Sequence, residues 1–130
     1  MLDRNYSRAS AHYRSLALAS QTESANPHAL VAMLYDELLL CIDVLTLRAG
    51  KVSALGDDEQ AHRVRSIILA LRAGLDFEQG SDLAHRLDGL YDALASEFEE
   101  QLASPDPLRF GELRAGVQSL ASAWSAIADR

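Results

Sequence analysis

Apolar residues recur along most of the chain at steps of three and four, not two, a pattern that predicts helices and no sheet. Four runs carry it. The first, "NPHALVAMLYDELLLCIDVLTL" (26–47), opens with Asn26 as cap and Pro27 at the first helical position, where a missing N–H is harmless. It is expected to reach Arg48, with Gly50 as its stop. "GKVSALGDDE" (50–59) then reads as a loop. The second run, about 59–77, holds Val64, Ile68, Leu71 and Leu75 on one face. "QGS" (79–81) is a tight connection in which Gly80 can take a positive φ, and Ser81 or Asp82 caps the next helix. The third run, about 82–103, has a leucine-rich stripe of Leu83, Leu87, Leu90, Leu94, Phe98 and Leu102. "SPDP" (104–107) ends it, because the residue before a proline avoids helical angles. The fourth, about 107–128, has the cleanest heptad-like seam: Phe110, Leu113, Val117, Leu120, Trp124 and Ile127. Its place in that seam puts Trp124 in the core.

Residues 1–25 are polar and weakly periodic, with Tyr6, Ala9 and Tyr13 spaced to share one face of a short helix and 21–25 as a linker. Four helices of similar length joined by short loops are expected to pack up-down-up-down. The expected fold is therefore all-α: an antiparallel four-helix bundle over 26–130 with a short N-terminal helical cap and linker over 1–25.

The first helix carries a surplus. At about 100° per residue, Leu30, Leu34, Leu38, Cys41 and Leu45 fill one arc. Val31, Tyr35 and Ile42 extend it on one side, and Met33, Leu40, Val44 and Leu47 on the other. Asp36, Asp43 and Thr46 keep a narrow polar sector, shared with Ala32 and Leu39. The arc covers roughly two thirds of the circumference, whereas one core-facing stripe needs little more than about 100°. Either this helix is central and further covered, or part of the arc is a groove for an apolar helix from a partner. Met33, Leu40, Val44 and Leu47, the flank farthest from the main stripe, are the expected groove residues. The alternative leaves the Val31–Tyr35–Ile42 flank free, and the wheel does not choose between them.

Composition narrows the function. A length of 130 residues fits one domain with its own core. Nineteen acidic residues against twelve basic ones give a net charge of −7, which repels nucleic-acid backbones. No stretch of about 18 uncharged apolar residues offers a membrane span. The N-terminus lacks the apolar stretch of a secretory signal, so a cytoplasmic location is expected. Cys41, the single cysteine, lies between Leu40 and Ile42 and reads as a small buried hydrophobe.

Catalytic and metal constellations fail on geometry. Glu59-Gln-Ala-His62 and Asp82-Leu-Ala-His85 mimic the paired ligands of di-iron bundles, but each opens its helix. In an antiparallel pair those ends lie roughly 20 Å apart. "HRLDG" (85–89) resembles the His-x-Leu-Lys-Gly stretch of histidine phosphotransfer domains, yet Asp88 stands where a lysine would stabilise phosphohistidine. Such a phosphotransfer domain, or a generic dimeric helical adaptor, is the alternative reading. No phosphate cradle, nucleophile elbow or Cys-His pair is present, so neither enzyme activity, cofactor nor metal is expected.

Three stretches resemble the flagellin-specific export chaperones of bacterial flagellar secretion, the FliS-type family. "NPHALVAMLYDELL" (26–39) is similar to that family's Ser-Pro-x-x-Leu-(Ile/Val)-x-Met-Leu-(Tyr/Phe)-Asp-Gly segment. "LRAGLDFEQGSDLAHRLDGLYDAL" (71–94) resembles its Leu-Asp-x-Glu-x-Gly-Gly region and the Leu-Tyr-Asp-Tyr beyond it. "AWSAI" (123–127) resembles its closing Ala-Trp element, and Tyr13 falls where the family keeps a tyrosine ahead of the proline. Glu37, Ser81 and Ala93 replace a glycine, a glycine and a tyrosine, and 98–107 lacks the family's basic stretch; these departures bear on partner specificity more than on fold. The resemblance implies an antiparallel helical bundle with a short N-terminal cap; the residues leave its oligomeric state open, with a monomer favoured. It also implies that the bundle binds the disordered C-terminal segment of flagellin in the cytoplasm and prevents polymerisation before export, with further export components as additional partners. Tyr13 would then be a movable cap residue. Tyr35 and Tyr91, each followed by an aspartate, would anchor helix contacts or touch cargo, with a structural role favoured for Tyr91.

Overall fold

The computed structural model describes residues 27–76, 78 and 81–128. They form four helices: α1 (Pro27–Ala49), α2 (Glu59–Ala73), α3 (Ser81–Ala103) and α4 (Pro107–Ala128). There is no strand among the described residues. The all-α reading holds, and the expectations for 1–25, including Tyr13, and for the Asn26 cap and Gly80 lie outside the described residues.

Local chemistry sets the helix ends. Asp58 caps α2, its carboxylate accepting from the Gln60 N–H at 2.8 Å. Asp106 does the same for α4, accepting from the Leu108 N–H at 2.9 Å, with Pro107 in the first helical position. α2 stops at Ala73, four residues short of the expected end. The Gly74 N–H closes the last turn on the Ala70 carbonyl at 3.1 Å, and the chain then turns away. Leu75 still packs against the core from the connection, so the periodic pattern outlasted the helix.

Ion pairs show the relative direction of neighbouring helices. Glu37–Arg63 and Arg48–Asp58 join α1 to α2 and its cap. Arg65–Glu99 and Arg72–Asp88 join α2 to α3, Arg109–Glu97 joins α3 to α4, and Arg114–Asp43 joins α4 to α1. Rising numbers on one helix meet falling numbers on its neighbour, as in Glu37–Arg63 with Arg48–Asp58, Arg65–Glu99 with Arg72–Asp88, and Asp43–Arg114 with His28–Trp124, so neighbouring helices run antiparallel. α1 and α3 face each other diagonally. These pairs are largely solvated and each is worth about 0–1 kcal/mol. Burial of Leu34, Leu38, Ile42, Leu45, Ile67, Phe98, Leu102 and Phe110 at about 1.5–3 kcal/mol each therefore dominates. Phe98 and Phe110 meet edge-on, with ring centroids 6.2 Å apart, next to the α3–α4 turn.

Two core assignments differ from the sequence reading. Leu55, inside the expected loop, is buried and donates its N–H to the Leu102 carbonyl at 2.8 Å, so the loop plugs that end of the bundle. Trp124 is only half-buried. Its indole stacks on the His28 ring at 4.2 Å, and its Nε1–H donates to the His28 carbonyl at 2.9 Å. The His28 Nε2 reaches the Trp124 carbonyl at 3.1 Å in return. An indole at the rim, with its N–H satisfied, clamps the start of α1 to the end of α4 rather than filling the centre.

Candidate functional site: an open trough between two helices

α1 resolves the ambiguity of its own wheel. On one side Tyr35 and Ile42 are sealed and Val31 is half-buried. On the other, Leu40 and Leu47 are 60% and 73% exposed, with Met33 and Val44 half-buried beside them. This outer stripe is framed by Glu37–Arg63 on the α2 side and Asp43–Arg114 on the α4 side. Leu39, in the narrow polar sector, is buried, because it lies on the α4 side between the positions of His28 and Asp43. Thr46 satisfies its hydroxyl on the Ile42 carbonyl at 2.7 Å.

Tyr35 is a core residue. Its hydroxyl lies 2.5 Å from that of Tyr91, and burial raises its pKa above the ordinary tyrosine value, partly offset by that hydrogen bond. It therefore does not present its ring to a partner at the surface. Cys41 is buried too. Desolvation, helped by the Glu37 charge, pushes its thiol up to about 11. No thiolate nucleophile exists there at neutral pH.

An open concavity lies elsewhere. The stripes of α3 and α4 are sealed near their shared turn, at Phe98, Leu102, Phe110 and Val117. Away from the turn they open: Leu90 and Leu83 are 50% and 49% exposed, Leu94 and Leu120 half-buried, and Ile127 exposed. Between the helices lies a trough of about 540 Å³. Leu90 and Leu94 wall it from α3, and Leu113 and Leu120 from α4. Ala93, Gly116 and Ser119 line it with small side chains, and Glu97, Arg109 and Glu112 hold one end. A Cβ added at Gly116 would meet nothing within 4 Å, so the glycine is not needed for packing within the bundle.

None of the six residues expected to bind a partner lines this trough. Met33, Leu40, Val44 and Leu47 share the α1 stripe, Tyr35 is interior, and Tyr13 is not described. Of the trough residues, Leu90, Leu94, Leu113 and Leu120 were read as ordinary stripe and seam. The available signal was the α3-facing side of α4: positions 109, 112, 116, 119 and 123 are Arg, Glu, Gly, Ser and Ala, which offer no large knob to the leucines of α3.

A smaller cavity of about 170 Å³ lies between α2 and α3, beside Ile68, Leu69 and Phe98. Ion pairs straddle it: Arg65 grips Glu99 with two donors, at 2.6 and 3.1 Å, and Arg72 holds Asp88 and Asp92 at 2.9 and 3.3 Å. The Arg65 hydrogen bond and charge hold the Glu99 carboxyl below the usual value, and Arg65 and Arg72 are held more firmly protonated. His85 is exposed near the start of α3, and Asp88 one turn on is engaged by Arg72. Among the described residues no group of three or more His, Cys, Asp or Glu side chains converges as a metal site. No described helix is long and apolar enough to cross a membrane.

Comparison with known proteins meets this geometry. The family model described as flagellar protein FliS matches residues 9–130. The flagellar secretion chaperone FliS of Salmonella typhimurium is 30% identical over 120 residues, covering 91% of this chain and 88% of the relative. That of Vibrio cholerae is 28% identical over 117 residues, covering 88% and 85%. The flagellar secretion chaperone FliSB of Pseudomonas aeruginosa is 29% identical over 118 residues, covering 88% and 91%. No solved structure gives a significant match. The relatives are named as chaperones and not as enzymes, and with a match over nearly its whole length this chain belongs to the FliS family of flagellar proteins.

Proposed function

We propose that the protein is a cytoplasmic, monomeric export chaperone that holds the disordered C-terminal segment of flagellin and prevents polymerisation before secretion. The observation that carries this reading is the α3–α4 trough, an apolar channel with half-exposed leucines in a chain whose relatives are named secretion chaperones. A helical bundle offers no free sheet edge to a peptide, so the guest is a segment that folds into a helix on binding. Its anchors at i, i+3, i+4 and i+7 meet the leucine walls, and the small residues along the trough let its backbone approach closely.

The α1 stripe is the second contact. Met33, Leu40, Val44 and Leu47 lie on a face separate from the trough, and a disordered chain can wrap both. Two weak contacts on one chain add through effective concentration. Ordering the guest lowers the net affinity, which suits a cargo that must be released to further export components. In this scheme Tyr13 is the movable cap residue of 1–25, and Tyr35 supports the groove walls from inside through Tyr91.

Co-expression pull-down with flagellin keeping or lacking its last segment tests the proposal. Retention only with the segment, and a gain of helical circular dichroism on mixing, are expected. A tight homodimer indifferent to flagellin would support the dimeric adaptor instead and refute the chaperone reading.

A further inference from the structure

The trough is apolar along most of its length but charged at one end. Arg109 is the one cation among its lining residues, and it is already engaged: its Nη2 lies 3.0 Å from the Glu97 carboxylate and 3.8 Å from that of Glu100. Glu97 also accepts from the Gln101 amide at 3.3 Å. Glu112, three residues beyond Arg109 on α4, stays exposed on the lip with no cation from the trough to meet it. Two carboxylates thus already occupy the one guanidinium, and Glu112 makes a third acidic group at that end of the trough. A guest that fills the trough displaces water from Glu112, and a carboxylate losing water without a counter-charge opposes binding.

We propose that the guest helix carries an arginine or lysine that pairs with Glu112, seven or eight residues from the apolar anchor seated against Leu120. This rests on the flagellin reading above and adds the charge pattern the cargo must have. The spacing comes from α4, where Glu112 precedes Leu120 by eight residues, about 12 Å along the axis. A guest helix lying along the trough spans that distance in about two turns, so both residues fall on one face. A basic side chain suits the position because its aliphatic stem covers the apolar wall while its head reaches the lip. A second copy of this chain fits poorly. A two-fold contact whose axis runs along the trough would bring Glu112 against the acidic end of its twin, and in any arrangement both copies carry a net charge of −7.

The test uses the full chain and a synthetic peptide of the flagellin C-terminal segment, titrated at low and high salt. Glu112 is exposed, so Glu112→Gln should keep its helicity and thermal midpoint. At low salt it should bind about threefold to tenfold more weakly than wild type, with a flatter salt dependence. Glu112→Lys should bind more weakly still, and a peptide whose basic residue at the stated spacing is changed to Glu should restore its binding. Wild-type binding with Glu112→Gln unchanged in affinity and salt slope overturns this inference and leaves the flagellin reading standing. No wild-type binding at either salt overturns both. Tighter binding by Glu112→Gln would assign the carboxylate to the chain's own residues 1–25, where Arg4, Arg8 and Arg14 outnumber Asp3 and Glu23, and so overturn the inference. A dimer that the peptide cannot dissociate would place a second copy in the trough, with the same consequence.

Discussion

The hydroxyl of Tyr35 lies 2.5 Å from the hydroxyl of Tyr91, linking α1 to α3 across the bundle between two helices that are not neighbours. Both rings are sealed from solvent. Tyr91 stands next to Leu90 and three residues from Leu94, which wall the trough, so the pair ties the groove to the interior of α1. Tyr35→Phe and Tyr91→Phe should each lower stability by about 1 kcal/mol, the usual net worth of one intramolecular hydrogen bond. The double variant should lose less than the sum of the two, because both single changes break the same contact. Urea unfolding of the four proteins measures this, and strictly additive losses would show that the hydroxyls do not act together.

Gly116 offers a way to block the trough without damaging the fold. Its missing Cβ faces open space, and a leucine is a better helix former than glycine by up to about 1 kcal/mol. Gly116→Leu should therefore match or exceed the wild type in thermal midpoint while weakening binding of a flagellin C-terminal peptide by more than about tenfold, a loss of roughly 1.4 kcal/mol. Calorimetric titration decides the point. A stabilised variant that binds normally would move the cargo off the α3–α4 face.

Leu40 and Leu38 make a matched pair on α1. Leu40 is mostly exposed, so Leu40→Asp should change stability by no more than about 0.5 kcal/mol and keep its helicity. Leu38 is fully buried, and even Leu38→Ala should lose about 2–5 kcal/mol. If the α1 stripe holds cargo, Leu40→Asp weakens flagellin binding several-fold with the circular dichroism spectrum intact. Wild-type affinity in that variant would limit the contact to the trough.

Cys41 should resist alkylation in the native protein and react only on unfolding, since its thiol is buried and titrates near 11 instead of its ordinary value of about 9. The folded state holds that proton more tightly than the unfolded chain does. Its contribution to stability is therefore complete below about pH 9 and is lost as pH rises from there toward 11. The buried Tyr35 hydroxyl, also shifted upward, acts in the same sense above its ordinary value. Cys41→Ala should flatten the alkaline limb of a plot of stability against pH, and an unchanged limb would assign it to other groups.

The helices were legible because their determinants are local. The proline at 27, the break at 104–107 and the three-four spacing of leucines act within one or two turns of the residues they order. The assignment of Leu34, Leu38 and Leu45 to the interior was equally legible, since they occupy the middle of the widest apolar arc. The end of α2 was less so: Leu75 keeps the period beyond Gly74, but Gly74 closes the turn.

Exposure at the edges of those arcs is a different matter, because it depends on the size and position of side chains on another helix. A wheel drawn on α1 cannot show that Tyr35 is sealed on one flank while Leu40 stays in water on the other. Leu90 and Leu94 look like core beside Phe98 until α4 places Gly116 and Ser119 near them in place of a bulky partner. Leu55 is a loop residue until the end of α3 supplies a carbonyl for its N–H. Periodicity along the chain thus determined where helices form and which way each one faces. Tertiary packing alone decided which apolar residues found a cover and which were left to form a trough, since burial belongs to pairs of surfaces and not to single ones.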